Sequence, residues 1–203
     1  MSQQTELEKA TAREMLCRCV AIDLEVHPST GKIFRFAAVK PNDEIALNFW
    51  RGDLGQALKE LDVFTQKSEF VLGHNILHFD FPHLAEADPR LKILNKPCID
   101  TLWLNPLSFP ENPYHNLVKH YQDGRLDGGH LSDPELDSRL VLSVLEAQFS
   151  ALSKLHRGTP ETVCVFHWLT TQGFQAEGFD TLFAKVRGCQ KPKADEAQAA
   201  LQK

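Results

Sequence analysis

The chain has 203 residues, 42% of them hydrophobic and 24% charged, with a formal net charge of −5. That is enough apolar chain for one packed soluble domain; no run approaches the ~20 apolar residues of a membrane-spanning helix, and the negative balance argues against autonomous gripping of a long nucleic-acid duplex. The polar opening Met1–Glu8 lacks an apolar signal region, and Cys17, Cys19, Cys98, Cys164 and Cys189 form no CxxC pairs, which predicts reduced thiols in a cytoplasmic protein without a zinc site.

Residues 1–16 are polar with helical leanings and are expected to pack loosely or fray. Three strand-like runs follow, Arg18–Val26, Ile33–Lys40 and Glu44–Trp50, separated by Pro28-Ser29-Thr30-Gly31 and Pro41-Asn42-Asp43 as hairpin connections require. Asp53 is a candidate cap for a helix to about Leu61. Glu69–Leu72 reads as a short strand ended by Gly73, Phe81-Pro82 opens a helix, and Lys96–Asp100 reads as another strand leading into Thr101–Leu104. Pro106–Pro113 is a predicted loop, Tyr114–Tyr121 a helix, and the Gly- and Asp-rich Gln122–Leu131 a loose stretch. A strong helix is expected from Asp133 to about Leu155, then amphipathic helices at Glu161–Gln172 and Ala176–Arg187, and a linker or fraying helix at Lys191–Lys203. Antiparallel strands followed by alternating strands and helices predict an α/β mixed sheet with helices on its faces. One domain accounts for about residues 15–155, with a helical extension over 156–190 and a tail over 191–203.

The acidic residues carry the chemistry. Asp23 and Glu25 close the apolar run Cys19-Val20-Ala21-Ile22; residues two apart on a strand share a face, and two carboxylates at the exit of a buried strand repel unless a cation stands between them. Oxygen-only donors suit Mg²⁺ or Mn²⁺. Asp137 lies one turn before the stripe Leu140, Val141, Val144 and Leu145 on the face of a core-directed helix, where it needs a cation, a hydrogen bond or the helix dipole. Asp80 sits between Phe79 and Phe81, held against apolar surface. His74 and His78 have the spacing of a zinc pair, but no third soft ligand stands near and Gly73 breaks the helix they would need.

Asp23-Leu24-Glu25 at a strand end, Gly73-His74-Asn75 followed by Phe79-Asp80-Phe81-Pro82-His83-Leu84, and Asp137 in Asp133-Pro134-Glu135-Leu136-Asp137 resemble, in order and spacing, the three exonuclease motifs of the DEDD superfamily. Cys98-Ile99-Asp100-Thr101-Leu102 resembles the strand between the second and third motifs. The run from Phe109 to Lys119 resembles the N-terminal exonuclease-like domain of some bacterial RecQ-like helicases. The resemblance covers about residues 18–150 and implies an RNase H-like fold, a mixed five-stranded sheet flanked by helices. It further implies 3′→5′ exonuclease chemistry in which Asp23, Glu25, Asp80 and Asp137 hold two divalent cations, Mg²⁺ or Mn²⁺, across an in-line phosphoryl displacement that releases nucleoside 5′-monophosphates. By the same resemblance Leu24 offers backbone contacts to the terminal nucleotide, His74 and Asn75 contact sugar or phosphate, and Phe79 packs or stacks. The implied partner is a single-stranded or frayed 3′ end, DNA ahead of RNA, with a helicase in cis or in trans; no G-x₄-G-K-[ST] loop stands in this chain.

The sequence departs from the family at two places. Val26-His27-Pro28 replaces the usual Thr-Thr-Gly after the first motif. Family members place a His five residues, or a Tyr four residues, before the last Asp, where this chain has Ser132 and Asp133; His130, in Gly128-Gly129-His130, is the candidate general base, ahead of His115 and His120. These departures keep two alternatives open: an RNA-directed exoribonuclease of the same superfamily, and a weakly active or inactive interaction module on the same fold.

Overall fold

The computed structural model describes residues 3–41, 45–112, 115, 117, 133–173 and 175–202. A five-stranded mixed sheet of order β3-β2-β1-β4-β5 organises the chain. Its strands are β1 (Cys19–Val26), β2 (Ile33–Val39), β3 (Leu47–Phe49), β4 (Phe70–Gly73) and β5 (Cys98–Asp100). The first three form an antiparallel meander, and β4 and β5 add to β1 in parallel, so β1, β4 and β5 all end at one edge of the sheet. The helices are α1 (Gln3–Cys17), α2 (Leu54–Thr65), α3 (Asp80–Ala87), α4 (Thr101–Ser108), α5 (Pro134–Gly158), α6 (Pro160–Thr170), α7 (Ala176–Arg187) and α8 (Ala194–Ala200), with a 3-10 turn at Lys92–Asn95.

The period-two alternation of the strands sorts the core into two layers. Cys19 and Ala21 of β1, Leu72 of β4 and Ile99 of β5 meet α1, α5 and α7 on one side. Val20, Ile22 and Leu24, with Val71 and Cys98, meet α2 and α3 on the other. Asp23 and Glu25 continue the odd-numbered set, which carries both carboxylates to the α5 side of the sheet.

Helix α5 starts where chain chemistry dictates. Asp133 is its N-cap and accepts from Glu135 N at 3.1 Å, and Pro134 occupies the first turn. Its buried face runs through Asp137, Ser138, Val141, Leu145, Phe149 and Leu152. Leu140 and Val144, expected on that stripe, are only partly buried, because the face is rotated toward Ser138 and Gln148. Ser138 Oγ meets Ala37 O of β2 at 3.5 Å, and Gln148 Nε2 donates to Thr101 O and to Asn105 Oδ1 of α4.

The core does not end at the boundary expected near residue 155. Phe179, Leu182, Phe183 and Val186 of α7 share one apolar cluster with β1, β4 and β5. Helix α7 approaches β5 so closely that a Cβ on Gly178 would stand 2.0 Å from the Cys98 carbonyl oxygen; only glycine fits there. At the other end, Ala12, Met15 and Leu16 of α1 are buried in the same cluster, so these opening residues pack rather than fray. Residues 194–200, expected as linker or fraying helix, form α8, which packs on α6 with Ala197 buried. Helix α4 extends through Pro106, where a loop was expected, at the loss of one i→i−4 hydrogen bond. The helix expected over 114–121 and the stretch 122–131 fall largely outside the described residues.

Candidate metal centre

Three segments far apart in sequence deliver carboxylates to the exit of β1. Oxygen atoms of Asp23, Glu25 and Asp137 all lie within 4.8 Å of one another. The pairing of β1 with β2 shifts between Glu25 and Val26, an irregularity of the kind that re-aims side chains at strand ends. Asp137 arrives from the first turns of α5, where its N–H donates to Asp133 O at 2.9 Å and the helix dipole favours its charge. Asp137 is 3% exposed, while Asp23 and Glu25 are half-buried.

Asp80 stands beside this trio rather than within it. It opens α3 on the other side of β1, is 2% exposed, and accepts from Leu24 N at 3.1 Å through Oδ1. Burial, reinforced by the Asp23 carboxylate, pushes its acid well above the ordinary carboxylate range, against the Leu24 N–H that pulls it down. A cation among these groups would reverse that balance by favouring the ionised form.

The donor set fits hard divalent cations. Among the described residues all donors are oxygens, and no His or Cys joins the cluster. Ligand oxygens of one octahedral Mg²⁺ stand about 3.0–4.2 Å apart, so the trio would have to draw together to share one ion. The zinc reading of His74 and His78 gains nothing: His74 Nδ1 sits 2.9 Å from Thr101 Oγ1, whereas exposed His78 packs on the Trp103 ring at 5.6 Å.

The segment of the second motif is held from below by a residue that sequence reasoning missed as a site element. Asp100, fully buried at the end of β5, accepts from Asn75 N at 2.9 Å and Leu102 N at 2.9 Å through Oδ1, and from Leu77 N at 3.2 Å through Oδ2. It caps α4 and fixes the turn 74–79 that delivers Asp80, with Asn75 in the left-handed region at φ 68°. The signal was present in Cys98-Ile99-Asp100-Thr101, an Asp that ends an apolar strand and begins a helix, which is the pattern of a cap.

The expected substrate contacts have structural partners. The Leu24 side chain is buried on the α2–α3 side of the sheet and its N–H is taken by Asp80, so it does not present that N–H to a ligand. Asn75 uses its N–H on Asp100. Phe79 stands edge-on to His83 at 5.0 Å and packs on the core. His74 bonds Thr101, whose hydroxyl donates to Gly73 O at 3.2 Å; burial holds the His74 acid below the usual histidine value. His120, His130 and Ser132 lie outside the described residues. Asp133 caps α5, and its Oδ1 stands 3.7 Å from Arg35 Nη2.

No protein-family model matches the chain, and no curated protein matches it.

Proposed function

We propose that this chain is a metal-dependent 3′→5′ exonuclease of the DEDD superfamily, built on an RNase H-like sheet and acting on single-stranded or frayed DNA 3′ ends alongside a helicase. The observation that carries the reading is the convergence of Asp23, Glu25 and Asp137 within 4.8 Å, with Asp80 hydrogen-bonded to the backbone between the first two. Divalent cations among these carboxylates would offset their mutual repulsion. When bound, two divalent ions supply a nucleophilic water at neutral pH and charge stabilisation at the leaving oxygen. The protein's own contribution is positional: β1 and α5 fix three of the donors, α3 brings the fourth, and Asp100 fixes the turn that aims α3.

The test is digestion of a single-stranded oligonucleotide in Mg²⁺ or Mn²⁺, with matched DNA and RNA of one sequence, comparing the natural chain with Asp23→Ala and Asp137→Ala. Nucleoside 5′-monophosphate release by the natural chain alone supports the reading. Activity surviving both substitutions excludes it.

A second reading, a non-catalytic nucleic-acid or protein binding module, is favoured by one observation: Asp133, at a position where the family carries a Tyr, serves as the N-cap of α5. Two ions bound without turnover is the outcome that supports it.

A further inference from the structure

Beside the carboxylates, a second row of side chains crosses the sheet on the same face. Glu25 of β1 is in register with Arg35 of β2. Phe36 is in register with Phe49, which brings Trp50, the residue after β3, alongside Arg35. Directly paired residues project to one side of a sheet, so Glu25, Arg35 and Trp50 stand in line. The Arg35 guanidinium carbon lies 4.2 Å from the centre of the Trp50 ring. Arg35 Nη2 also stands 3.7 Å from Asp133 Oδ1. Trp50 is 63% exposed even with the guanidinium over its ring.

Core packing does not explain this pair. A large aromatic gains little by standing two-thirds in solvent, and the Arg35 side chain, only 16% exposed, is held in place at the rim of an acidic focus. We propose that Arg35 and Trp50 form the path along which a single-stranded polynucleotide runs from the carboxylate cluster, Arg35 taking a backbone phosphate and the exposed Trp50 ring stacking a base. The choice of ligand rests on the exonuclease reading. The physical need is independent of it: a chain of net charge −5 attracts a polyanion weakly at long range, so a phosphate must be captured by a local cation. A mostly buried guanidinium is screened less by water than a surface one, and its planar fork matches phosphate oxygens. Neighbouring strands lie about 4.8 Å apart. Arg35 is therefore about one strand spacing from Glu25 and Trp50 about two, within reach of the nucleotides next to a terminus held at the carboxylates. Stacking on an indole is tolerant of sequence because every base has a π-face. The other exposed tryptophan, Trp103 of α4 after β5, already has its ring against His78 at 5.6 Å and Phe179 at 6.4 Å.

The experiment measures anisotropy of fluorescein-labelled oligothymidylate with the full chain in Ca²⁺, which occupies oxygen-ligand sites, with oligonucleotide integrity checked on a gel. Trp50→Ala, at an exposed position that leaves the fold intact, is expected to weaken binding ~5–150-fold with an unchanged salt slope. Arg35→Gln is expected to weaken binding and to lower the slope of log K against log salt by about 0.7, the value for one phosphate on a single strand. Arg35→Lys is expected to restore the slope, which a merely structural role would not do. Trp103→Ala is expected to leave affinity unchanged. Unchanged affinity in Trp50→Ala, a loss carried by Trp103→Ala instead, or no binding by the natural chain each overturns the proposal. If the oligonucleotide binds in this pattern but is not digested in Mn²⁺, the binding path stands and the exonuclease reading alone falls.

Discussion

Replacing Asp80 by Asn separates the two effects that its carboxylate has on this protein. The side chain is 2% exposed, and its Oδ1 accepts from Leu24 N at 3.1 Å; an amide oxygen accepts the same bond in nearly the same volume, without the charge. Burial and the Asp23 carboxylate raise the folded-state acid well above its reference value of 3.8. The folded chain therefore holds this proton more tightly than the unfolded chain. The resulting stability is fully present below about pH 3.8 and is lost as pH rises through the folded value. In the metal-free protein this carboxyl is a net cost at any pH above its reference value, so Asp80→Asn should raise the melting temperature in EDTA, and the gain should widen as pH rises from about 3.8 toward the folded value. With Mn²⁺ the order reverses. At one hundred times its dissociation constant, a single bound ion stabilises the natural chain by ~2.7 kcal/mol. For a domain of this size each kcal/mol is worth about 2–4 °C, which gives a rise of about 5–11 °C. Asp80→Asn should show a smaller rise, having lost one ligand charge. Differential scanning fluorimetry of both proteins, with EDTA and with Mn²⁺, measures all four values. A lower melting temperature for Asp80→Asn in EDTA together with an equal Mn²⁺ increment would refute the reasoning, since Asp80 would then be a structural carboxylate and nothing more.

Other consequences are open to simple measurements. Gly178→Ala drives a Cβ to 2.0 Å from a backbone oxygen that cannot swing aside, so thermal or urea melts should show destabilisation at or above the usual overpacking range of about 1–3 kcal/mol. An unchanged midpoint would mean that α7 does not dock on β5 as described. Asp100→Ala orphans the N–H groups of Asn75, Leu77 and Leu102, at about 1–3 kcal/mol for each buried donor. Amide exchange at those three positions should accelerate and Mn²⁺ affinity should fall, whereas protected amides would contradict the role given to Asp100. His167 is fully buried between Asp180 Oδ1 at 2.7 Å and Arg187 Nη1 at 2.9 Å, and burial holds its acid below the reference 6.5. The unfolded chain therefore takes up this proton first, and stability should fall as pH drops below about 6.5. His167→Gln should flatten that part of the melting-temperature profile, and an unaltered profile would assign the pH dependence elsewhere.

Much of this architecture was legible in the residues because the strong signals were local. The alternation in Cys19–Val26 fixed which side of the sheet Asp23 and Glu25 share, and Asp133-Pro134 marked the start of α5 within one residue. The acidic focus was legible for a related reason: each carboxylate sits at the end of an element whose direction its own sequence specifies. What escaped was tertiary. Gly178 looks like a weak point in an amphipathic helix until β5 is brought against it, so α7 was read as part of an appendage. Asp100 looked like a strand residue because its three N–H partners come from a turn and a helix start that the chain brings together only on folding. The Arg35–Trp50 pair depends on strand register across β2 and β3, which pattern alone leaves undefined.

The most direct measurement is anomalous diffraction from crystals soaked in Mn²⁺. The expected result is a Mn²⁺ peak bounded by Asp23, Glu25 and Asp137 at coordination distances of about 2.0–2.3 Å, with a second peak on the Asp80 side of Asp23. Full-occupancy crystals with no anomalous density between these carboxylates would contradict the account at its centre.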